Sequence, residues 1–213
     1  MARTNPWVTD FGARQQPSDS EARPLADVML APSYGADRPQ PTGVEPLPAG
    51  GLPVAEYPPD VWPPAHVGWW WAGCHGGAGV TTLVGATGCG RDSLRRWPVL
   101  SSGASSKVVL VARTHEAGLR AAQAAARQWA SGMLPHHVEL IGLVLTPDAP
   151  GKLPRPLHDL ARLVSGGLPR TWEIGWHEEL RFGPPASLSD GPAAEYRQLA
   201  ASLTSIITGG RVA

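Results

Sequence analysis

The sequence predicts an α/β fold with a mostly parallel sheet of four to five strands and helices on both faces. Runs of apolar and β-branched residues alternate with segments of helical periodicity after residue 64. One apolar run ends in a glycine-rich turn within residues 68–83, GWWWAGCHGGAGVTTL. The first 64 residues show neither pattern and hold 13 of the 23 prolines. The fold is therefore expected after a disordered, Pro-rich tail.

The predicted elements follow one another as β-α-β-α-β-α-β-α, an order typical of parallel sheets with right-handed crossovers. The predicted strands are His66–Ala72, Lys107–Ala112, Val138–Leu145 and Arg170–Trp176. The predicted helices are Gly79–Thr87, His115–Ser131, a segment from Pro154 or Pro156 to Val164, and Ala193–Ile207. The interval 91–106 is predicted to be irregular, with no strand that ends in an aspartate.

Residues 1–64 are predicted to be disordered because they bury too little apolar surface to offset the entropy of ordering. Two apolar islands interrupt this tail, one at Trp7 and one at Val28, Met29 and Leu30. Either they pack loosely on the domain, or one of them is a short motif that docks a protein partner. Residues 65–213 are predicted to form the folded domain.

Composition argues against several classes of function. The formal net charge is zero, so nothing indicates bulk attraction to nucleic acid or to an anionic membrane. No apolar run approaches the roughly 20 residues that cross a bilayer, and the N-terminus has no signal-peptide core. Two cysteines in a chain of this length do not make a disulfide scaffold. We therefore expect a cytoplasmic protein without a membrane segment.

The segment from residue 74 to residue 82, CHGGAGVTT, is the candidate binding loop. It lies between a predicted strand and a predicted helix, where backbone N–H groups and the helix dipole favour an anion. Its glycines permit a ligand to approach the backbone closely. The candidate residues are Cys74, His75, Gly76, Gly77, Ala78, Gly79, Val80, Thr81 and Thr82.

This loop resembles the deviant Walker A motif of the MinD/ParA family of P-loop ATPases, whose pattern is G-K-G-G-x-G-K-T-T. Five of the eight defined positions match, namely Gly76, Gly77, Gly79, Thr81 and Thr82. Cys74 replaces the first glycine, His75 the signature lysine and Val80 the phosphate-binding lysine. The resemblance extends over roughly residues 66–208 and implies a reduced P-loop NTPase-like, three-layer fold.

Three further segments resemble the family in order and spacing: KVVLVARTHEAGLRAAQAA, VELIGLVLT and RTWEIGWHEELR. In the family, the ends of the last two strands contact the adenine base. The resemblance therefore implies base contacts from Thr146 and Asp148 and from Trp176. The chain is also similar to an actinobacterial group of such proteins that is often encoded near conjugation or mobile-element genes.

The family places two extra strands before the strand at Lys107, with the catalytic aspartate of switch I and the aspartate of Walker B. Here the interval contains one acid, Asp92. Phosphoryl transfer depends on positioning and charge stabilisation, and Val80 contributes no charge. The resemblance thus implies a non-hydrolysing scaffold or regulatory protein without catalytic residues, linked to conjugation, secretion or partition machinery.

Two alternatives remain open. The chain is a weak ATP or ADP binder, or an NTPase, that uses residues 74–82 with an unconventional cation, or it binds another anionic ligand at the same helix N-terminus. No cofactor other than ATP or ADP is indicated.

Other polar clusters have simpler interpretations. Cys74, His75 and Cys89 lack the spacing of a closed zinc site, so no metal is assigned, and a disulfide between the cysteines is not expected in a reducing cytosol. The basic cluster of Arg91, Arg95 and Arg96 either binds phosphate or a nucleic-acid backbone, or is a solvated loop. The pairs His136-His137 and Glu178-Glu179 are interpreted as solvated loops.

Overall fold

A computed structural model of the chain describes residues 50–58 and 68–209. All of them belong to the compact unit Gln40–Ala213. The islands at Trp7 and at Val28, Met29 and Leu30 lie outside the described residues, so their predicted role in docking a partner stays a prediction.

The described chain forms seven strands and four helices, with two 3-10 turns, at residues 178–181 and 185–187, before the last helix. In order they are β1 (Val54–Tyr57), β2 (Trp70–Gly73), α1 (Val80–Thr87), β3 (Arg91–Asp92), β4 (Trp97–Leu100), β5 (Ser106–Arg113), α2 (Glu116–Ala130), β6 (Val138–Thr146), α3 (Arg155–Gly166), β7 (Thr171–Glu173) and α4 (Asp190–Gly209).

The larger sheet has five parallel strands in the order β3-β2-β5-β6-β7. Its three central strands, β2, β5 and β6, are buried on both faces, which explains their nearly continuous apolar sequences. One core lies beneath α1 and α4 and contains Trp69, Trp71 and Leu203. The other lies beneath α2 and α3 and contains Trp70 and Leu119. The predicted α/β fold with helices on both faces of a mostly parallel sheet is confirmed.

The four predicted helices correspond to α1–α4, and the predicted strands correspond to β2, β5, β6 and β7. Boundaries differ by up to four residues, most of all at the start of β2. The first two residues of the predicted strand His66–Ala72 lie outside the described part of the chain.

The prediction of disorder through residue 64 is wrong for Val54–Tyr57. This segment is β1, and it pairs in parallel with β4 to form a separate two-stranded sheet. Leu52, two residues before β1, is buried and is held by Gln128 of α2. A four-residue strand fixed by such tertiary contacts shows no periodicity that distinguishes it from a tail.

The prediction of an irregular interval 91–106 is also wrong. This interval contains β3 and β4, and β3 ends in Asp92 beside β2. Arg91 N and Ser93 N donate to the carbonyl oxygens of Trp69 and Trp71 at 3.1 and 2.9 Å. A two-residue strand defined by its neighbour is too short to produce a sequence pattern.

The edge of the larger sheet at which its parallel strands end is the expected position of a ligand site. The chain leaves β2 toward α1 on one face and leaves β5 toward α2 on the other. The crevice between these two strand ends is therefore a topological switch point, the place where open α/β sheets bind ligands. Within the described residues, no helix has both the length and the apolar character that crossing a membrane requires.

Candidate functional site

The glycine loop (residues 74–82) connects β2 to the first turn of α1. Gly77 and Gly79 have φ angles of 76° and 100°, in the left-handed region that favours glycine. Nothing described lies within 4 Å of the position that a Cβ atom would take on Gly77, so the loop is open there. In the described part of the chain, Leu83 is the first helical residue whose N–H has a backbone acceptor, Gly79 O at 2.9 Å. The preceding N–H groups of α1 are thus available to a ligand.

Val80 occupies the position of the phosphate-binding lysine, and its side chain turns into the protein. It is 8% exposed and belongs to the core beneath α1 and α4. Its Cγ2 atom lies 3.1 Å from the position that a Cβ atom would take on Gly73. The position therefore contributes apolar packing and no charge to the loop.

His75 connects the glycine loop to the end of β5. Its Nδ1–H donates to Gly76 O at 2.9 Å, and its Nε2 accepts the N–H of Arg113 at 3.0 Å. This pattern requires the neutral imidazole with its proton on Nδ1. Burial lowers the pKa of His75, and the charges of His115, Arg113 and Arg95 act in the same direction, against the raising effect of the Gly76 carbonyl.

Two arginines reach the glycine loop from other elements. Arg113, at the end of β5, donates from Nε to Gly77 O at 2.8 Å. Arg95 follows β3, and its Nη1 lies 4.0 Å from the position that a Cβ atom would take on Gly76. The His115 ring lies 4.9 Å from the His75 ring, at the same crevice. Two permanent cations and two imidazoles thus surround the open part of the loop.

The turn that delivers Arg95 is sterically unfavourable. Leu94 and Arg95 have φ angles of 55° and 62°, a left-handed conformation that costs side-chain-bearing residues roughly 1–2 kcal/mol each. The Oδ1 atom of Asp92 accepts the N–H of Leu94 at 2.7 Å and stabilises the turn. Asp92 therefore shapes the turn that carries Arg95.

Of the residues predicted to contact the base, Thr146 contacts the glycine loop and Trp176 does not. Thr146 donates its hydroxyl to Ala78 O at 3.0 Å, so it already holds the loop. Asp148 accepts a hydrogen bond from the hydroxyl of Thr114 at 2.8 Å, and Thr114 directly precedes His115. Trp176 donates to Glu178 at 2.8 Å, and no described contact joins it to the loop.

The remaining loop residues differ in their access to a ligand. Ala78 is buried, Thr81 is exposed and Thr82 is half-buried. Burial raises the pKa of the Cys74 thiol to about 12, so it is a neutral core group. Cys74 and Cys89 are both free thiols. Within the described ranges, no group of three or more His, Cys, Asp or Glu side chains is placed to hold a metal ion.

Sequence reasoning missed Arg113 and His115 as site residues and noted Arg95 only as part of a basic cluster. A signal was present, because Arg113 and His115 directly follow the predicted strand Lys107–Ala112. The carboxyl ends of parallel strands meet at one edge of a sheet, so polar residues at these positions are candidates for the site.

Comparison with protein-family models identifies a family that matches this chain. The model of DUF6668, described as a family of unknown function, matches residues 67–188, more than half of the chain. The matched region includes the glycine loop, Arg95 and Arg113 and ends before α4. A search of curated proteins gives no match.

Proposed function

We propose that this chain, which belongs to the DUF6668 family, binds a phosphate-bearing ligand at the glycine loop and does not hydrolyse it. ATP or ADP is the first ligand class to test, because the loop resembles the deviant Walker A motif of MinD/ParA proteins. A domain that holds a nucleotide without consuming it acts as a scaffold or a regulatory component. Conjugation, secretion and partition machines are the settings that the resemblance favours.

The approach of Arg95 and Arg113 to the open glycine loop is the observation that carries this proposal. Val80 is buried and contributes no charge, yet two guanidinium groups come from neighbouring strand ends. Guanidinium groups pair with phosphate oxygens through planar, bidentate hydrogen bonds. Together with the free N–H groups of α1, they form an anion site that uses other residues than the family's lysines.

The absence of turnover follows from how the acids near the loop are used. Phosphoryl transfer needs an acid that organises Mg²⁺ and a group that positions the attacking water or base. Asp92 accepts the N–H of Leu94, and Asp148 accepts the hydroxyl of Thr114. Asp92 stabilises the turn at Leu94, and one oxygen of Asp148 is engaged by Thr114, so the site favours binding over catalysis.

Calorimetric titration of the full chain tests the proposal. ATP and ADP, each with Mg²⁺, and inorganic pyrophosphate are titrated into the wild type, an Arg95→Gln variant and an Arg96→Gln control. Arg96 is a suitable control because it is the adjacent exposed arginine and its charge acts on Tyr57. Burial raises the pKa of Tyr57, and the charge of Arg96 lowers it. We expect saturable binding that Arg95→Gln weakens by about tenfold or more and Arg96→Gln leaves unchanged. A wild type that binds none of the three up to about millimolar concentration overturns the proposal.

Phosphate release from ATP separates the proposal from the alternative of a working NTPase. We expect no release above the buffer rate. Release that an Asp92→Asn variant abolishes would make the chain an NTPase in which Asp92 is the acid.

A further inference from the structure

A cavity of about 570 Å³ lies at the carboxyl ends of β6 and β7 on the α3 side of the sheet. We call it the α3 cavity. Residues 147–154, PDAPGKLP, cover it, and α3 forms its outer wall. None of its lining residues belongs to the glycine loop. Its volume falls within the range of roughly 300–1,000 Å³ that is typical of small-molecule sites.

The floor of the α3 cavity is apolar. It consists of Leu145 from β6 and of Leu157 and Ala161 from α3. Leu145 and Ala161 are buried. This floor suits an aliphatic or aromatic group of a ligand, whose burial would contribute most of the binding energy.

Charges of both signs surround the floor. Lys152 and Arg162 are the cations, and Asp148 and Glu173 are the carboxylates. Among the described residues, the side chains of Lys152, Arg162 and Glu173 have no hydrogen bond or ion pair, and only one carboxylate oxygen of Asp148 is used, by Thr114. In the wall formed by β7, the buried hydroxyl of Thr171 also has no partner among the described residues.

We propose that the α3 cavity binds a small zwitterion with an apolar side chain, of the amino-acid or dipeptide class. The ligand carboxylate pairs with Arg162 and Lys152, and the ammonium pairs with Glu173 and the free oxygen of Asp148. All four of these charged residues are exposed. A polyanion would meet the two carboxylates, and an uncharged apolar molecule would pair with none of the four charges. A zwitterion satisfies both sets of charges and the apolar floor.

The covering segment is suited to hold its shape. Three of its eight residues are prolines, which restrict the backbone before any ligand binds. Gly151 has a φ of 92°, which allows the turn between Pro150 and Lys152. A preformed cavity loses little conformational entropy on binding.

Binding of leucine and its single-charge analogues to the full chain tests the proposal by nuclear magnetic resonance. The ligands are L-leucine, L-phenylalanine, the dipeptide leucyl-leucine, isocaproate, which lacks the ammonium group, and isoamylamine, which lacks the carboxylate. We expect saturable shifts of amides in residues 147–165 and 171–174 with at least one zwitterion. Each analogue should bind about tenfold or more weakly than the matching zwitterion.

Charge variants identify the pairing groups. Glu173→Gln and Arg162→Gln should each weaken zwitterion binding by about tenfold, because each removes one charge-assisted contact. Arg155→Gln is the control, because Arg155 is exposed on the same helix and does not line the cavity. The proposal is overturned if no zwitterion binds up to about 10 mM, if the analogues bind as tightly, or if both charge variants bind like the wild type.

Discussion

Replacing Gln128 with alanine removes three hydrogen bonds that join α2 to the segment before β1 and to β4. Its Oε1 accepts the N–H of Leu52 and the indole N–H of Trp97, and its Nε2 donates to Leu52 O, each at 2.8 Å. At about 1 kcal/mol per bond, the loss is about 3 kcal/mol in the free energy of unfolding. Trp97 is fully buried, so its indole N–H would be left without water as a substitute.

Urea unfolding of the full chain, followed by tryptophan fluorescence, measures this loss. Gln123→Ala is the matched control, because Gln123 lies on the same helix and accepts only a 3.3 Å bond from exposed Arg120. The control should change the free energy of unfolding by less than about 0.5 kcal/mol. If Gln128→Ala costs less than about 1 kcal/mol at an unchanged m-value, the segment from Leu52 to β1 is not an integral part of the fold.

Three further predictions concern the loop and the turn beside it. The unfolded chain protonates His75 near its ordinary pKa of 6.5, whereas the folded chain does so only at lower pH. The contribution of neutral His75 to stability is therefore present above pH 6.5 and lost as the pH falls below that value. The melting temperature of a His75→Gln variant should therefore change less than that of the wild type as the pH is lowered below 6.5. Leu94→Gly should stabilise the protein by up to about 1 kcal/mol, because Leu94 is 66% exposed and has a φ of 55°, in the left-handed region that favours glycine. Leu163→Gly is the control: Leu163 is 64% exposed but lies inside α3, so its replacement should destabilise the protein by about 1 kcal/mol in the same urea assay. Val80→Thr should destabilise it by about 1–3 kcal/mol by burying a hydroxyl, and a Thr variant as stable as the wild type would contradict the buried position of this side chain.

The sequence predicted those elements whose pattern is long enough to be periodic. The strand at Lys107–Ala112 and the helix at His115–Ser131 appear as β5 and α2 within a few residues. β1 and β3 could not be predicted, because their four and two residues are not part of a longer apolar run. Their pairing depends on partners distant in sequence, Trp97 for Val54 and Trp71 for Asp92.

The sequence predicted the backbone of the candidate site but not the charged side chains around it. Glycines at 76, 77 and 79 indicated an open loop before a helix, and the structure has such a loop. The approach of Arg95 depends on a left-handed turn at two residues that are not glycine, which no sequence rule anticipates. The bond from Thr146 to Ala78 O likewise depends on the neighbouring strand β6 reaching the loop.

The amide resonances of the glycine loop test phosphate binding most directly. Pyrophosphate is titrated into the ¹⁵N-labelled full chain while the amides of Gly76, Gly77, Gly79 and Thr81 are followed. We predict saturable shifts at these residues in the wild type, and much smaller shifts at the same pyrophosphate concentration in the Arg95→Gln variant. Amides that stay fixed up to about millimolar pyrophosphate in a folded wild type would contradict a phosphate site at the glycine loop.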